Sequence, residues 1–296
     1  MTTDVSFEAG ARDERALSVW AATLRFLLRN RSVQIGGGLL VLMIAIALLA
    51  PLLWTVSPTR LDTAMRLRPP GPDAWMGTDP FGRDVYSRVI YGSRISLLVG
   101  LTVAMTAALV GTVLGILAGY IRWLDGILMR VMDGLMAIPA ILLAIAMIAV
   151  LGAGIGSVII AITVPEVPRV VRLVRSIVLS VREEPYVEAA VALGTPGHLV
   201  MVRHILPNTI APLLVQGTYI CAFAILIESI LSFLGAGVPP TIPTWGNIMA
   251  EGRIYFQISP WNIFFPATFL ALTILSVNVL GDGLRDTLDP RLQRSV

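Results

Sequence analysis

Residues 184–208 read EPYVEAAVALGTPGHLVMVRHILPN. They lie between two long apolar stretches, yet they hold both histidines of the chain and the break "GTPG" at 194–197. Ser180 and Glu183 have capping-box spacing, and Pro185 suits a first helical turn. A short helix over 184–193 is predicted, with Gly194 at its end. Thr195 is placed to cap a second helix, with Pro196 at its first position. That helix reaches Leu206, and Pro207 begins the approach to the next apolar run. The segment is therefore a helix–turn–helix elbow. Isolated short helices are marginal in water, so the elbow must rest on something. Two readings stand: a tight turn packed on its own helix ends, or a docking knob for another protein.

The rest of the chain is built for lipid. Of its 296 residues 56% are hydrophobic and only 14% charged, where a soluble domain has about 25% charged residues. The 22 basic residues are all arginine, and against 19 acids they leave a net charge of +3, too small to argue for nucleic acid. The single cysteine, Cys221, excludes a disulfide within the chain and a cysteine-based metal site. Residues 1–15 are polar, and the apolar run that starts near Gln34 lacks a small-residue cleavage pattern, so it is expected to be a retained span and not a signal peptide.

A window of about 20 apolar residues finds six candidate spans, at 34–54, 95–120, 128–151, 155–178, 209–235 and 261–281. The fourth contains Pro165, Glu166, Pro168 and Arg169. Ionisable residues inside a span are costly and face protein or water. The helix is expected to leave the membrane near Arg169–Arg172; the alternative is a kinked span with Glu166 in a polar path. Gly111, Gly115 and Gly119 put a glycine strip on one face of the second span, which admits a close helix neighbour. Residues 16–31 place Leu17, Trp20, Leu24, Leu27 and Leu28 opposite Arg25 and Arg29, the pattern of a helix lying at the membrane surface or of an extension of the first span. With both termini cytoplasmic, fifteen of the 22 arginines fall on the inside, which favours that orientation and puts the elbow in the cytoplasm.

"EAAVALG" followed by "HILP" resembles the EAA loop of ATP-binding-cassette importer permeases. Glu188, Ala189, Ala190, Gly194, Leu206 and Pro207 stand at that family's spacing, and His204 within "RHILPN" is the form of its dipeptide/oligopeptide/nickel branch. "GTDPFGRDVYSRVIYGSRISL" (77–97), "ESILSFLGAGVPPTIPTWGNIM" (228–249) and "GDGLRDTLDPR" (281–291) also resemble that branch, and the N-terminal apolar run resembles its C-type permease.

The resemblance implies an all-α integral membrane protein of the type I importer permease fold, with six transmembrane helices and a cytoplasmic coupling-helix elbow. The expected organisation is a cytoplasmic tail and interfacial helix (1–33), a first transmembrane helix (34–54), an extracytoplasmic loop (55–94), a core permease domain of five helices (95–284) holding the EAA loop (182–207), and a cytoplasmic tail (285–296). It implies a location in a bacterial inner membrane. It also implies four kinds of partner: a B-type permease in a heterodimer, two cytoplasmic ATPases, an extracytoplasmic binding protein, and membrane lipid. The elbow residues, His204 included, would dock the ATPases, and ATP and Mg would be bound there and not by this chain.

The residues agree that this chain is not its own motor: it has no phosphate-binding GxxxxGK[ST] loop, no lysine and no HExxH pair. Glu166, Glu228 and Ser229 are candidates for lining the path. Glu228 could instead hold a neighbouring helix. Trp245, Glu251 and Arg253 in the stiff 236–260 loop are candidates for touching a binding protein, the alternative being a lid packed on its own helices. Asp79 with Pro80 is expected to cap a short helix carrying Asp84 and Arg88, and Asp133 to pair locally with Arg130. Branch members take dipeptides, longer peptides, nickel chelates or glutathione. A secondary carrier using Glu166 and Glu228, and a membrane-embedded enzyme, are the competing classes. The elbow speaks against the first, the lack of a catalytic constellation against the second.

Overall fold

A computed structural model of the chain describes residues 30–288. The surface helix expected at 16–31 lies outside the described residues except for residues 30–31, and the tail expected at 285–296 except for residues 285–288. Among the described residues the regular structure is helical, with two isolated bridges in the loop before the second long helix.

Helix α1 (Arg31–Leu48) is capped by Asn30, whose Oδ1 accepts from the Ser32 amide at 2.9 Å. Its open carbonyls at the other end take Arg94, which donates to Ala47 and Leu48. Helix α2 (Val85–Tyr120) is 36 residues long, about 54 Å at 1.5 Å per residue. It therefore begins well inside the predicted outer loop 55–94. Asp84 is its cap, accepting from the Ser87 amide at 2.8 Å, so the cap expected at Asp79 is corrected: Asp79 carries charges instead, as described below.

The third predicted span, 128–151, is two helices. Helix α3 (Arg122–Met136) and α4 (Ala140–Leu151) meet at 90°. Pro139 disfavours helical geometry at Ile138, and the chain turns there. Helix α5 (Ile155–Arg182) runs unbroken through Pro165 and Pro168, although each removes a backbone donor. Both prolines and the valines Val167, Val170, Val171, Val174 and Val178 are buried.

The elbow follows as α6 (Pro185–Ala192) and α7 (Gly197–Val200). Ser180 is inside α5 and caps nothing; no side chain caps α6. The second elbow helix does not stop at Leu206. It passes through a π turn, Met201–Ile205, into α8 (Leu206–Phe233) as one continuous rod. Pro207 lacks the amide that would bond Arg203, and the wide turn accommodates its ring. Helices α9 (Trp245–Gly252) and α10 (Trp261–Leu288) complete the chain. By length and apolarity α1, α2, the α7–α8 rod and α10 qualify as membrane spans, and the bent α3–α4 pair makes a fifth if counted together.

The centre of the molecule is the α2–α5 interface. A Cβ added at Gly115 would lie 2.7 Å from Val174 Cβ and 2.9 Å from the Val171 carbonyl, and one at Gly119 would lie 2.6 Å from Val178 Cβ. Gly111 meets Val170 as closely. The glycine strip is thus a groove into which a valine ridge fits, one residue per turn. Alongside it, the Thr106 and Thr163 hydroxyls stand 3.2 Å apart. Similar close approaches seat α1 on α10, Gly36 against the Leu280 backbone and Gly283 against Val33.

Gly115→Ala is expected to destabilise the folded protein by about 1–3 kcal/mol through overpacking. Gly126→Ala, where nothing lies within 4 Å, is expected to be neutral or slightly stabilising. Thermal melting of the detergent-solubilised protein measures both; equal melting of the two variants would remove the interface from its central role.

Candidate functional site

The elbow is held by four clasps. Gly194 has φ +84°, which only glycine adopts without strain, so α6 ends where the sequence places its end. Tyr186 on α6 packs its ring against His204, centroids 6.0 Å apart, and its hydroxyl accepts from Asn208 Nδ2 at 3.2 Å. Asn208 Nδ2 also donates to the His204 carbonyl at 2.6 Å. This gives "RHILPN" a physical role: His204 and Asn208 tie α6 to the π turn. Below, Arg182 donates to the Gly119 carbonyl at 2.9 Å and lies over the Tyr120 ring at 5.3 Å. Gly197 packs against Tyr120, where a Cβ would stand 2.9 Å from its hydroxyl oxygen. The elbow is therefore fixed to the ends of α2, α5 and α8 together. Val187, Val200 and Ile205 are buried beneath it. Its outer surface is not covered: Val191 is 53% and Leu193 87% exposed, and Glu188, Ala189, Gly194 and Pro207 are exposed, with Ala190, His204 and Leu206 half-buried.

The arginines of α5 are spent on neighbouring groups. Arg172 pairs with Asp133 at 2.5 Å, and Arg175 makes two bonds to Asp125. Asp133 is thus a tie between α3 and α5 and not a local pair with Arg130. Arg169 pairs with Glu166 at 3.1 Å and lies 5.1 Å from the centre of the Phe223 ring on α8. Glu166 is fully buried. Beyond Glu166 the charges of α5 are paired but not enclosed: Arg169 and Arg172 are about half exposed, and Arg175 is about one-third exposed.

Glu166 and Arg169 line a cavity of about 280 Å³ between α5, α8 and α10, together with Gln216, Tyr219 and Asn278. A second cavity of about 430 Å³ adjoins it, sharing Gln216 and Tyr219, and extends past Leu173 and Pro212 to Arg285. Glu228 and Ser229 do not line either. Glu228 is fully enclosed and accepts from Ser232 at 2.8 Å and from Ser96 on α2 at 3.2 Å. Its position fits the alternative reading, a helix-to-helix tie.

The 77–97 motif builds a buried ionic lock. Asp79 accepts from the Phe81 and Arg83 amides at 2.8 and 2.9 Å and pairs with Arg83 at 2.5 Å and Arg88 at 2.6 Å. Both arginines also pair with Glu251 on α9. Arg88 is 1% exposed. Trp245 is fully buried and donates to the Val89 carbonyl at 3.1 Å. Trp245 and Glu251 therefore bind α9 to α2, and of the three candidates for an outer contact Arg253 alone is exposed. No signal in the sequence tied Glu251 to residues some 160 positions earlier. Among the described residues no group of three His, Cys, Asp or Glu is placed to hold a metal ion.

A lipid-adapted bundle with an uncovered elbow at the junction of its long helices is the architecture of a transporter's membrane subunit. The chain matches two family models: binding-protein-dependent transport system inner membrane component over residues 111–294, and N-terminal TM domain of oligopeptide transport permease C over residues 18–70. It is 55% identical over 271 residues to a probable peptide ABC transporter permease protein of Sinorhizobium fredii, covering 92% of this chain and 93% of that one. It is 41% identical to a dipeptide transport system permease protein of Alkalihalophilus pseudofirmus (94% and 92% covered) and 38% identical to a glutathione transport system permease protein of Pectobacterium atrosepticum (95% and 94%). Among solved structures, an inward-facing form of the MetNI methionine ABC transporter aligns with a TM-score of 0.55 at 17% identity, over 68% of this chain and 97% of that one, a likeness of fold. The chain belongs to the inner membrane components of binding-protein-dependent transport systems. Within them it is a C-type permease of the peptide importer family, a non-catalytic membrane subunit of an ABC importer.

Asp79→Asn is expected to cost about 3–5 kcal/mol, because it strips a partner from a buried arginine. Arg253→Gln at the exposed site is expected to melt as the parent does. Folded yield and melting temperature in detergent check the pair, and a stable Asp79→Asn protein would contradict the lock.

Proposed function

We propose that this chain forms half of a translocation path for peptides and couples that path to cytoplasmic ATPases through its elbow. The observation that carries the reading is the elbow itself: an exposed surface with apolar and small residues, clasped to three long helices at once. Glu188, Ala189, Ala190 and Gly194 would seat in a groove on an ATPase, with His204, Leu206 and Pro207 bracing them from behind. ATP and Mg would bind to those partner subunits. A B-type permease would supply the other half of the path, in a pseudo-symmetric heterodimer, and an extracytoplasmic binding protein would deliver the solute. Peptide as the solute is supported by the names of the relatives. Nickel chelates, glutathione and other small solutes are the alternatives within the same family.

Six crossings with both termini cytoplasmic are supported by which ends meet. The start of α1 bonds the end of α10, Asn30 to Gly283 and Thr287. Arg285 near that same end shares a cavity with Ala211 and Pro212 at the elbow end of α8. The end of α2 touches the elbow as well. Counting the α3–α4 pair and α5 as crossings returns the chain to one side after six. The arginine excess marks that side as cytoplasmic.

Gly194→Trp adds bulk to the turn and forces a side chain into positive φ. In proteoliposomes holding the complete transporter, it is expected to lower peptide uptake per ATP hydrolysed about tenfold or more, a loss of about 1.4 kcal/mol or more of coupling. Uptake per ATP at the parent level would overturn the docking role.

A further inference from the structure

Proposed peptide import leaves unexplained why a buried acid and an arginine share the cleft. Helices α5, α8 and α10 are each 28 residues long, about 42 Å. Glu166, Tyr219 and Asn278 lie within about four residues of their midpoints. With α5, α8 and α10 taken as crossings, as proposed above, the cavity lies at the depth of the hydrocarbon core, which is about 30 Å thick. Polar side chains line it at that depth, where they would otherwise be costly.

Glu166 is incompletely satisfied. Arg169 Nη1 stands 3.1 Å from both carboxylate oxygens and donates its hydrogen bond to Oε2, so Oε1 has the ion-pair contact but accepts no hydrogen bond. The Glu166 side chain is fully enclosed, whereas that of Arg169 is 44% exposed. Arg169 therefore covers the acid from the open side of the cleft, its Cζ 5.1 Å from the centre of the Phe223 ring. A buried carboxylate with a spare acceptor gains from a donor with several N–H groups, and an arginine drawn away from it needs an anion.

Resting on the peptide reading above, we propose that the Glu166–Arg169 pair is a mid-path station for solutes carrying both a free ammonium and a free carboxylate, such as short peptides with unblocked termini. The solute's carboxylate draws Arg169 outward, and its ammonium takes the uncovered Glu166. One ion pair is exchanged for two, and the net charge in the cleft is zero before and after. A solute with a single charge lacks this compensation: an amidated peptide leaves Arg169 without an anion, and an acetylated one leaves Glu166 without a cation. Gln216, Tyr219 and Asn278 supply neutral hydrogen-bonding groups to the peptide unit between the two ends.

The test uses the complete transporter purified through this chain, without its binding protein, so that selection by that protein does not enter. Saturation-transfer NMR compares binding of Ala-Ala, N-acetyl-Ala-Ala and Ala-Ala amide. Ala-Ala is expected to bind about tenfold or more tighter than either blocked form, the worth of one charge-assisted hydrogen bond. In Arg169→Gln the preference over the amide is expected to vanish while that over the acetylated form persists. In Glu166→Gln the reverse is expected. ATP hydrolysis by both variants reports that they are assembled. Because Arg169 is half-exposed, its variant remains informative even where removal of the buried acid prevents folding. Equal binding of the three probes, no binding of any, or preferences unchanged in Arg169→Gln would each overturn the station. The peptide reading fails by a separate outcome: parent proteoliposomes with binding protein that take up nickel chelate or another solute but no peptide.

Discussion

Everything in this fold hangs on the contact between Gly111, Gly115 and Gly119 of α2 and Val170, Val174 and Val178 of α5. Between helices in lipid there is little hydrophobic drive, because lipid tails are as apolar as the side chains themselves. Close backbone approach and dense dispersion contacts take its place. The glycines permit that approach, and the valines are stiff enough at χ1 to act as a fixed ridge. With α2 and α5 locked, the other contacts follow. Arg182 reaches the α2 end, Gly197 reaches Tyr120, and α6 and α7 are carried on a rigid pair. A motion applied at the elbow would then pass along α5 and α8, two of the three helices that line the cleft.

A second constraint is neutrality. The buried charges stand beside a counter-charge, Asp79 with Arg83 and Arg88, and Glu166 with Arg169, and the more exposed acids are paired too: Glu251 with Arg83 and Arg88, Asp133 with Arg172, and Asp125 with Arg175. Glu228 is the exception among them, and serine hydroxyls enclose it. In such surroundings removing one partner costs far more than the pair gains. This explains how α5, which reads as too polar for a span, runs through the centre of the protein. Its polar residues are ties to α3 and within α5 itself.

The elbow was legible because its features are local. Gly194 needs positive φ, Pro185 starts a helix, and the spacing to Leu206 and Pro207 is short-range. The glycine strip was legible as a packing face, but its partner was not, since a groove does not name its ridge. Long-range partners account for the remaining differences. Asp133 met Arg172 and not Arg130, Asp79 met Arg83 and Arg88, which Glu251 also pairs, and capped no helix, and Trp245 was turned inward. The bend at Pro139 was hidden within a window that is apolar on average (128–151), in which composition outweighed the one residue that mattered. The capping-box spacing at Ser180 was overridden because burial of Val178 and Val181 extends α5 past it.

Rigid linkage of elbow and core is the claim on which coupling rests, and a distance measures it directly. Spin labels at Leu193 on the elbow and Leu109 on α2, both exposed, can be placed in a Cys221→Ala background and the labelled chain assembled into the complete transporter. Pulsed dipolar spectroscopy then gives their separation with and without ATP. A distribution that stays the same in both states is the expected result, the elbow and α2 moving as one body. A distribution that shifts on adding ATP, in a transporter that still imports, would contradict the account.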